Sequence, residues 1–164
     1  MRWRPRQGDP VLDPPTIVQT QAVPTAVIRL VVPRAEIQRV MGPGIQELMA
    51  TLAAQGIAPA GPWFNRHVRL NPTTFDFEIS VPVARPVTPA GRVEPSELPA
   101  TRAVRAVYRG PYDGLGAAWG ELKAWVEGRG LEPAPWIWEA YLTDPGTSPD
   151  PSTWLTQLNQ PLAG

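Results

Sequence analysis

The sequence has no cysteine and only one histidine, and these two scarcities exclude several classes of site. Without cysteine there is no disulfide, no zinc–thiolate centre and no cysteine nucleophile, and a reducing cytoplasm is the expected location. The single histidine, His67, is not clustered with other metal-ligating residues, which makes it a poor metal ligand. We therefore expect neither a bound metal nor a cofactor.

An excess of charge of one sign is also lacking, because fifteen basic residues balance fifteen acidic ones. A chain without net charge has no long-range field to attract nucleic acid or an anionic membrane, so neither is an expected partner. No apolar run approaches the roughly 20 residues of a membrane-spanning helix. The opening residues MRWRPRQGDP lack the apolar segment of a signal peptide, and too few residues precede the first predicted strand to form a helix-turn-helix.

Motifs for phosphate binding and for serine nucleophiles are missing as well. No glycine-rich loop has phosphate-cradling spacing, and no serine lies in a nucleophile elbow. The segment Gly42-Pro43-Gly44 contains a proline where a phosphate would need an N–H donor. These absences argue against a nucleotide-binding protein and against an acyl-transfer triad.

Proline and tryptophan are abundant. The chain of 164 residues is 43% apolar, which suits one domain with a substantial core. Its 22 prolines fall mainly between periodic segments and therefore indicate rigid loops. Seven tryptophans, against three tyrosines and three phenylalanines, predict a large core, an aromatic pocket or both.

The first half of the chain contains a predicted strand, a helix and two more strands. Residues 1–15 are polar and proline-rich, and we expect a flexible arm there. β-Branched residues in 16–32 predict a strand interrupted near Pro24, and a helix is predicted within 34–55, ending at Gly56. The apolar face of this helix is formed by Ile45, Leu48, Met49 and Leu52. Two strands at 61–70 and 74–83 precede a loop at 84–100, and the second strand has Phe75, Phe77, Ile79 and Val81 on one face.

The second half repeats this order. A helix is predicted at 113–129, with Asp113 as its N-cap and Gly130 as its stop. Its inward face carries Leu115, Ala118, Trp119, Leu122, Trp125 and Val126. The strands predicted around it are 101–110, 136–142 and 152–162.

Local sequence similarity supports an internal duplication. GIAPAGPWFNRHV after the first helix is similar to GLEPAPWIWEAYL after the second, and EISVPV is similar to QLNQPL. The alignment matches Gly56 with Gly130, Pro59 with Pro133, Trp63 with Trp136 and Pro82 with Pro161. We therefore predict an α+β domain of two strand-helix-strand-strand halves, about 16–85 and 99–162, with an antiparallel sheet and two main helices.

An ordered set of motifs extends through both halves. The second half contains Tyr108, Gly110-Pro111-Tyr112, Trp119, Gly130, Trp138-Glu139, Tyr141, Asp144-Pro145, Thr156 and Pro161. The first half contains GPWF at 61–64, EISVPV, Gly91-Arg92-Val93 and Leu98-Pro99. Over about residues 18–162 this set resembles the GyrI-like small-molecule-binding domain, also called the AraC-type effector-binding domain. The chain departs from that pattern at His67, where tyrosine is common, and at Tyr108, where histidine is common.

The resemblance implies a fold and a range of functions. It implies a single domain over 16–164, with a cleft between the halves that binds hydrophobic, often cationic or aromatic, compounds. Some relatives are fused to DNA-binding domains as transcriptional regulators. Others stand alone as gyrase-inhibitor-like proteins or as hydrolases of cyclopropane-containing compounds, and a bacterial, cytoplasmic protein is implied.

Glu139 is the main candidate for a functional residue. Strand alternation places Ile137, Glu139 and Tyr141 on one face and Trp136 and Trp138 on the other. A carboxylate on an apolar face is costly unless it is paired or hydrogen-bonded, and nearby aromatic rings could hold a flat or cationic ligand. From the spacing alone, a surface glutamate or a partner of Arg66 or Arg109 is the more common role, and the resemblance favours the ligand.

The other candidates are aromatic residues and the histidine. They are Tyr112, Tyr141, Trp119, Trp63, Phe64, Tyr108 and His67. Each could instead be an ordinary core residue, and the face of Trp154 is not predicted.

Three functions remain open at this level. The first is a stand-alone protein that binds a hydrophobic, possibly cationic or aromatic small molecule. The second is a hydrolase of strained electrophiles, in which Glu139 is the general base and Tyr112 or Tyr141 is the acid. The third is a module that binds a protein partner, such as gyrase or a regulator, through its tryptophans.

Overall fold

The computed structural model of this chain describes residues 10–163, and it contains nine strands and two main helices. The strands are β1 (Val11–Leu12), β2 (Thr16–Gln19), β3 (Val23–Pro33), β4 (Phe64–Leu70), β5 (Thr74–Pro82), β6 (Glu94–Leu98), β7 (Arg102–Arg109), β8 (Ile137–Tyr141) and β9 (Leu155–Pro161). The helices are α1 (Ile37–Ala54) and α2 (Leu115–Gly128), and single 3-10 turns lie at Arg34–Glu36, Tyr112–Gly114 and Pro151–Thr153. Neither helix is long and apolar enough to cross a membrane.

The strands form one antiparallel sheet in which the two halves meet at the centre. The order is β1-β7-β9-β8-β4-β5-β3-β6, with β2 also paired to β7. The halves β3-α1-β4-β5 and β7-α2-β8-β9 therefore contribute three adjacent strands each, which confirms the predicted duplication. At the junction of β4 and β8, Asn65 lies directly opposite Glu139.

A continuous two-stranded ribbon joins the two outer edges of these six strands. Residues 16–19 pair with 102–105, and residues 23–27 pair with 94–98 in the same register. Between them the Thr20 N–H donates to the Thr101 carbonyl (2.8 Å), and the Thr101 N–H donates to Thr20 Oγ1 (3.1 Å). In a flat sheet β3 and β7 would be about 24 Å apart. Because β2 is paired with β7, the three residues between β2 and β3 would have to span at least this distance, and they are too short to do so. The sheet is therefore strongly curled.

Each helix packs on its own half of the sheet and fills a separate core. The first core contains Ala26, Ile28, Leu48, Leu52, Ile57, Phe77, Ile79, Val81, Val83, Val87 and Val93. The second contains Val104, Ala106, Tyr108, Ala118, Leu122, Val126, Leu158 and Leu162. Gly44 allows α1 to approach the sheet closely, because a side-chain carbon at this position would overlap the Ile79 side chain. Gly56 and Gly130 end the helices with φ of 66° and 68°, as predicted.

A third cluster lies on the opposite face of the central strands, toward the ribbon. It joins Phe64 of β4 and Trp138 and Ala140 of β8 to Leu98 and Ala103 of the ribbon. This packing holds the ribbon against the middle of the sheet. The other face of the central strands, which carries Glu139, is turned toward the two helices.

The structure corrects several predictions near the chain's prolines and edges. Residues 94–98 of the predicted loop form β6, which pairs with β3. Residues 11–12 of the predicted arm form β1, which pairs with β7, whereas residues 1–9 lie outside the described part of the chain. Pro24 lies inside β3, and the interruption falls at residues 20–22.

Two helix details were also predicted wrongly. Asp113 belongs to the 3-10 turn before α2, and the N-cap of that helix is Gly114, without a side-chain hydrogen bond. Met49 is 40% exposed, although its helical spacing predicted a core position. In this part of α1, Leu48 and Leu52 are the buried residues.

Candidate ligand-binding site

A cavity of about 570 Å³ lies between the two helices, above the central strands β4 and β8. Its aromatic lining consists of Trp63, His67, Phe75, Tyr112, Trp119 and Tyr141. Glu139, Asn65, Arg34, Gln38, Lys123 and Gln160 supply the polar lining, and Ile37, Met41, Leu70, Leu115, Gly116, Gly120 and Ile137 complete it. The structure thus brings together six of the predicted site residues around one space.

Glu139 forms the floor of the cavity and is 8% exposed. The Trp119 indole Nε1–H donates to its Oε1 (2.5 Å), and the Tyr141 hydroxyl donates to its Oε2 (2.7 Å). Among residues 10–163 no basic side chain lies within ion-pair distance of this carboxylate. Two carboxylate oxygens offer about four acceptor sites, so two donors leave capacity for a further contact.

Tyr141 is fixed between Glu139 and Asn65. The Asn65 amide Nδ2 donates to the Tyr141 hydroxyl oxygen (3.0 Å), so the hydroxyl proton is directed at Glu139. Burial, with the adjacent Glu139 charge, raises the pKa of Tyr141 well above its usual value. Tyr141 therefore remains neutral and acts as a donor to the carboxylate.

Stacked rings build the wall beside this network. Trp63 lies over Tyr141 with ring centroids 4.1 Å apart, and Tyr112 meets Tyr141 edge-on at 5.7 Å. Trp154 supports Tyr112 from behind at 4.8 Å, and its indole N–H donates to the Ser148 carbonyl (2.7 Å). Burial raises the pKa of Tyr112, helped by the charges of two nearby carboxylates. Such rings present flat apolar faces with a negative quadrupole toward the cavity.

His67 lies on the first-half side of the cavity and is 5% exposed. Its ring lies 5.3 Å from Phe75 and 5.6 Å from Phe77. Burial lowers the pKa of His67, and the positive charge of Arg34 lowers it further while Glu139 opposes the shift. The imidazole is therefore neutral at pH 7.

Two predicted site residues, Phe64 and Tyr108, lie away from the cavity. Phe64 is on the opposite face of the sheet, in the cluster with Trp138. Tyr108 belongs to the second-half core, and its hydroxyl donates to the Pro111 carbonyl (2.8 Å). Trp136, which the sequence alignment matched with Trp63, also lies outside the cavity, stacked on Trp138 with ring centroids 5.5 Å apart.

Three important lining residues were missed by the sequence reasoning. Asn65 lies between Trp63 and His67 in β4, and alternation from those two residues would have placed it on the same face. Phe75 was placed on one strand face with Phe77, Ile79 and Val81 but was not named as a site residue, although that face reaches the cavity at Phe75. Arg34 carried no signal, because it lies in a turn between β3 and α1. Within residues 10–163, no group of three acidic, histidine or cysteine side chains could hold a metal ion.

The sequence profile of the GyrI-like small molecule binding domain matches residues 13–162. No curated protein matches the chain at the level of sequence. Similar folds occur in many proteins of known structure, and the identities of the three that follow are low enough to show the fold alone.

The first is EcmrR. Its C-terminal domain is 22% identical with a TM-score of 0.81, and the match covers 92% of this chain and 97% of that domain. In an EcmrR–DNA complex the match covers 91% of this chain but only 57% of the EcmrR chain, at 22% identity and a TM-score of 0.79. This chain therefore spans little more than half the length of that protein.

Two further proteins of similar fold are a ligand complex and a hydrolase. SAV2435 bound to tetraphenylphosphonium is 10% identical with a TM-score of 0.63, covering 92% of this chain and 94% of that one. A hydrolase from Listeria innocua is 13% identical with a TM-score of 0.64, covering 91% of each chain. With the profile match over most of its length, the chain belongs to the family of GyrI-like small-molecule-binding domains.

Proposed function

We propose that the cavity binds hydrophobic aromatic cations, with Glu139 as the counter-charge. The observation that carries the proposal is that a buried carboxylate accepts two hydrogen bonds but has no basic partner among the described residues. Burial of an uncompensated charge is costly, and a ligand cation would supply the missing charge. The donors Trp119 and Tyr141 hold the carboxylate in place until the ligand arrives.

The walls of the cavity suit the remainder of such a ligand. A volume of about 570 Å³ lies within the range of about 300–1,000 Å³ that is typical of small-molecule sites. The rings of Trp63 and Tyr112 provide faces for stacking and for cation–π contact. The similar fold of SAV2435, whose structure holds a lipophilic cation, supports this ligand class.

A hydrolase remains the second candidate because the similar protein from Listeria innocua is described as one. In that mechanism Glu139 would activate a water and a tyrosine would protonate the leaving group. Tyr141, however, already donates its only proton to Glu139 (2.7 Å), which leaves Tyr112 as the acid. This arrangement favours binding over hydrolysis.

A protein-binding role through the tryptophans has less support. Every tryptophan in residues 10–163 is buried or half-buried, and Trp63 and Trp119 face the cavity. Hot spots of protein interfaces are large side chains that a partner can reach. The two tryptophans that line the cavity, Trp63 and Trp119, are better placed to contact a small molecule than a protein partner.

The proposal is tested by titrating tetraphenylphosphonium against the intrinsic tryptophan fluorescence. Glu139→Gln should weaken its binding by at least about tenfold, because the glutamine keeps the shape and removes the charge. The neutral probe triphenylphosphine oxide should bind both proteins about equally. Glu127→Gln, on the exposed side of α2, is the matched control and should not alter either affinity. Equal affinity of the cation for wild type and Glu139→Gln would refute the proposal.

A further inference from the structure

The negative and positive side chains that line the cavity lie at different depths. Glu139 is buried at the floor, whereas Arg34 and Lys123 are exposed residues of the lining. The cavity is therefore negative at its base and positive at its mouth. A ligand that carried only a cation would meet like charge as it enters.

Arg34 is held in place rather than left free in solvent. Its Nε and Nη2 donate to the Asn71 carbonyl oxygen (3.2 and 2.7 Å), and its guanidinium lies 4.5 Å from the centroid of the Phe75 ring. These contacts fix the planar group over one wall of the cavity and reduce the entropy that a ligand contact would cost.

The guanidinium nevertheless has unused donors and no counter-charge. Among residues 10–163, its Nη1 has no hydrogen-bond partner and no carboxylate lies within ion-pair distance of it. Four other arginines of the described chain, Arg29, Arg39, Arg66 and Arg92, do pair with an acidic side chain. Arg34 thus combines a fixed position with an open face.

Lys123 provides a second positive charge from the other half of the molecule. It lies on α2, whereas Arg34 precedes α1, so the two cations belong to opposite walls of the cavity. Within the described chain Lys123 forms no ion pair. An anionic group at the mouth would meet a planar, bidentate donor on one side and a point charge on the other.

We propose that Arg34 and Lys123 form an anion-binding subsite at the mouth of the cavity. The preferred ligand is then an aromatic zwitterion, with its cation toward Glu139 and a carboxylate or sulfonate toward Arg34. This inference rests on the proposed function, because it takes Glu139 as the site of the cation. It adds the orientation of the ligand and a second charge that the ligand carries.

Two dyes that differ in one group test the subsite. Rhodamine B carries a delocalised positive charge and a carboxylate, and its ethyl ester keeps the cation but lacks the anion. Fluorescence polarisation gives the Kd of each dye for wild type, Arg34→Gln, Lys123→Gln and Glu139→Gln. Arg39→Gln, an exposed arginine of α1 outside the cavity lining, is the matched control.

We expect wild type to favour rhodamine B over its ester. Arg34→Gln should reduce that preference by about threefold, the effect of a partly exposed ion pair, and Lys123→Gln should reduce it less. Added salt should reduce the preference in wild type and reduce it less in Arg34→Gln, where only Lys123 remains. Arg39→Gln should leave the preference unchanged.

The outcomes separate this inference from the proposed function. If Glu139→Gln weakens both dyes while Arg34→Gln and Lys123→Gln leave the preference unchanged, the subsite is wrong and the cation site stands. If Glu139→Gln leaves the ester affinity unchanged, the cation site is wrong. If wild type binds neither dye, the zwitterion class is rejected. A thermal melt of each variant checks that it is folded, and Arg34→Gln should melt slightly below wild type because it loses two hydrogen bonds to the Asn71 carbonyl.

Discussion

The two halves of the domain share a scaffold but not a chemistry. In both, a proline precedes a 3-10 turn, the turn leads into the helix, and the helix ends at a glycine in the left-handed conformation. Hydrogen bonds repeat as well, since the Ile57 N–H donates to Leu52 O just as the Leu131 N–H donates to Val126 O. The repetition thus reaches individual backbone contacts.

The difference lies in the side chains that face the cavity. Asn65 and Glu139 are paired at the centre of the sheet. They are therefore equivalent positions of the two halves. Arg34 and Tyr112 both begin the 3-10 turn that follows a proline. Equivalent positions thus carry an amide and a carboxylate, or a cation and an aromatic ring. Such an asymmetric lining on a symmetric scaffold would give the proposed ligand a single preferred orientation.

The largest expected effect concerns the shared scaffold. Leu48 and Leu122 are both fully buried and lie about two turns before the glycines that end their helices. Truncation of either to alanine should reduce the free energy of unfolding by about 2–5 kcal/mol. Urea unfolding followed by tryptophan fluorescence and by circular dichroism should give one coincident transition for both variants. A second transition in either one would show that the halves unfold independently, contrary to their shared sheet.

The next effect breaks the asymmetry at the centre. Asn65→Asp places a second carboxylate opposite Glu139, and we expect a loss of about 1–3 kcal/mol of stability at pH 7. Repulsion raises a carboxylate pKa in the folded state, so the loss should shrink as the pH is lowered.

The double variant Asn65→Asp/Glu139→Gln is the control for that experiment. It moves the single charge to the first half and should be more stable at pH 7 than Asn65→Asp alone. Equal stability of the two variants would show that charge repulsion is not the cause of the loss.

The smallest effect is a difference in pH response between the halves. His67 and Tyr141 each lie two residues beyond the central pair, on the cavity face. Burial lowers the pKa of His67, so the unfolded chain binds the extra proton first and stability falls as the pH drops below about 6.5. Burial raises the pKa of Tyr141, so stability falls as the pH rises above about 10.

Two phenylalanine variants isolate these responses. His67→Phe should flatten the acid side of the stability profile, where the slope attributable to one proton is at most about 1.4 kcal/mol per pH unit. Tyr141→Phe should flatten the alkaline side. The measurement is chemical denaturation across the pH range, and an unchanged acid slope in His67→Phe would show that folding does not lower the pKa of His67.

The sequence indicated the scaffold well because its signals are local. Helical periodicity, the glycines at 56 and 130 and the alternation around Glu139 all depend on neighbours within a few residues. Strand β6 was not predicted because its sequence, EPSEL, contains a proline and mostly exposed side chains. Its pairing with β3 therefore leaves no alternating pattern of apolar residues. Edge strands of this kind are defined by their partner rather than by themselves.

The site was predicted less completely, because a cavity collects residues from distant segments. The resemblance supplied Glu139, Tyr112 and Trp119, all in motifs of the second half. It supplied Tyr108 as well, although the side chain turned out to fill the core. Arg34 came from no motif, and only the packing of its turn above Phe75 brings it to the cavity.

The ribbon pairs residues 16–27 with residues 94–105, so it can form only late in the synthesis of the chain. The first half can assemble its helix and three strands soon after residue 82 has been made. Phe64 stays uncovered until Leu98 and Ala103 arrive, and β4 has no neighbour on one side until β8 is complete. Contacts between such distant segments are slow to form. A ribosome that pauses between residues 82 and 141 would therefore hold a half-domain with an open sheet edge, the state most exposed to aggregation.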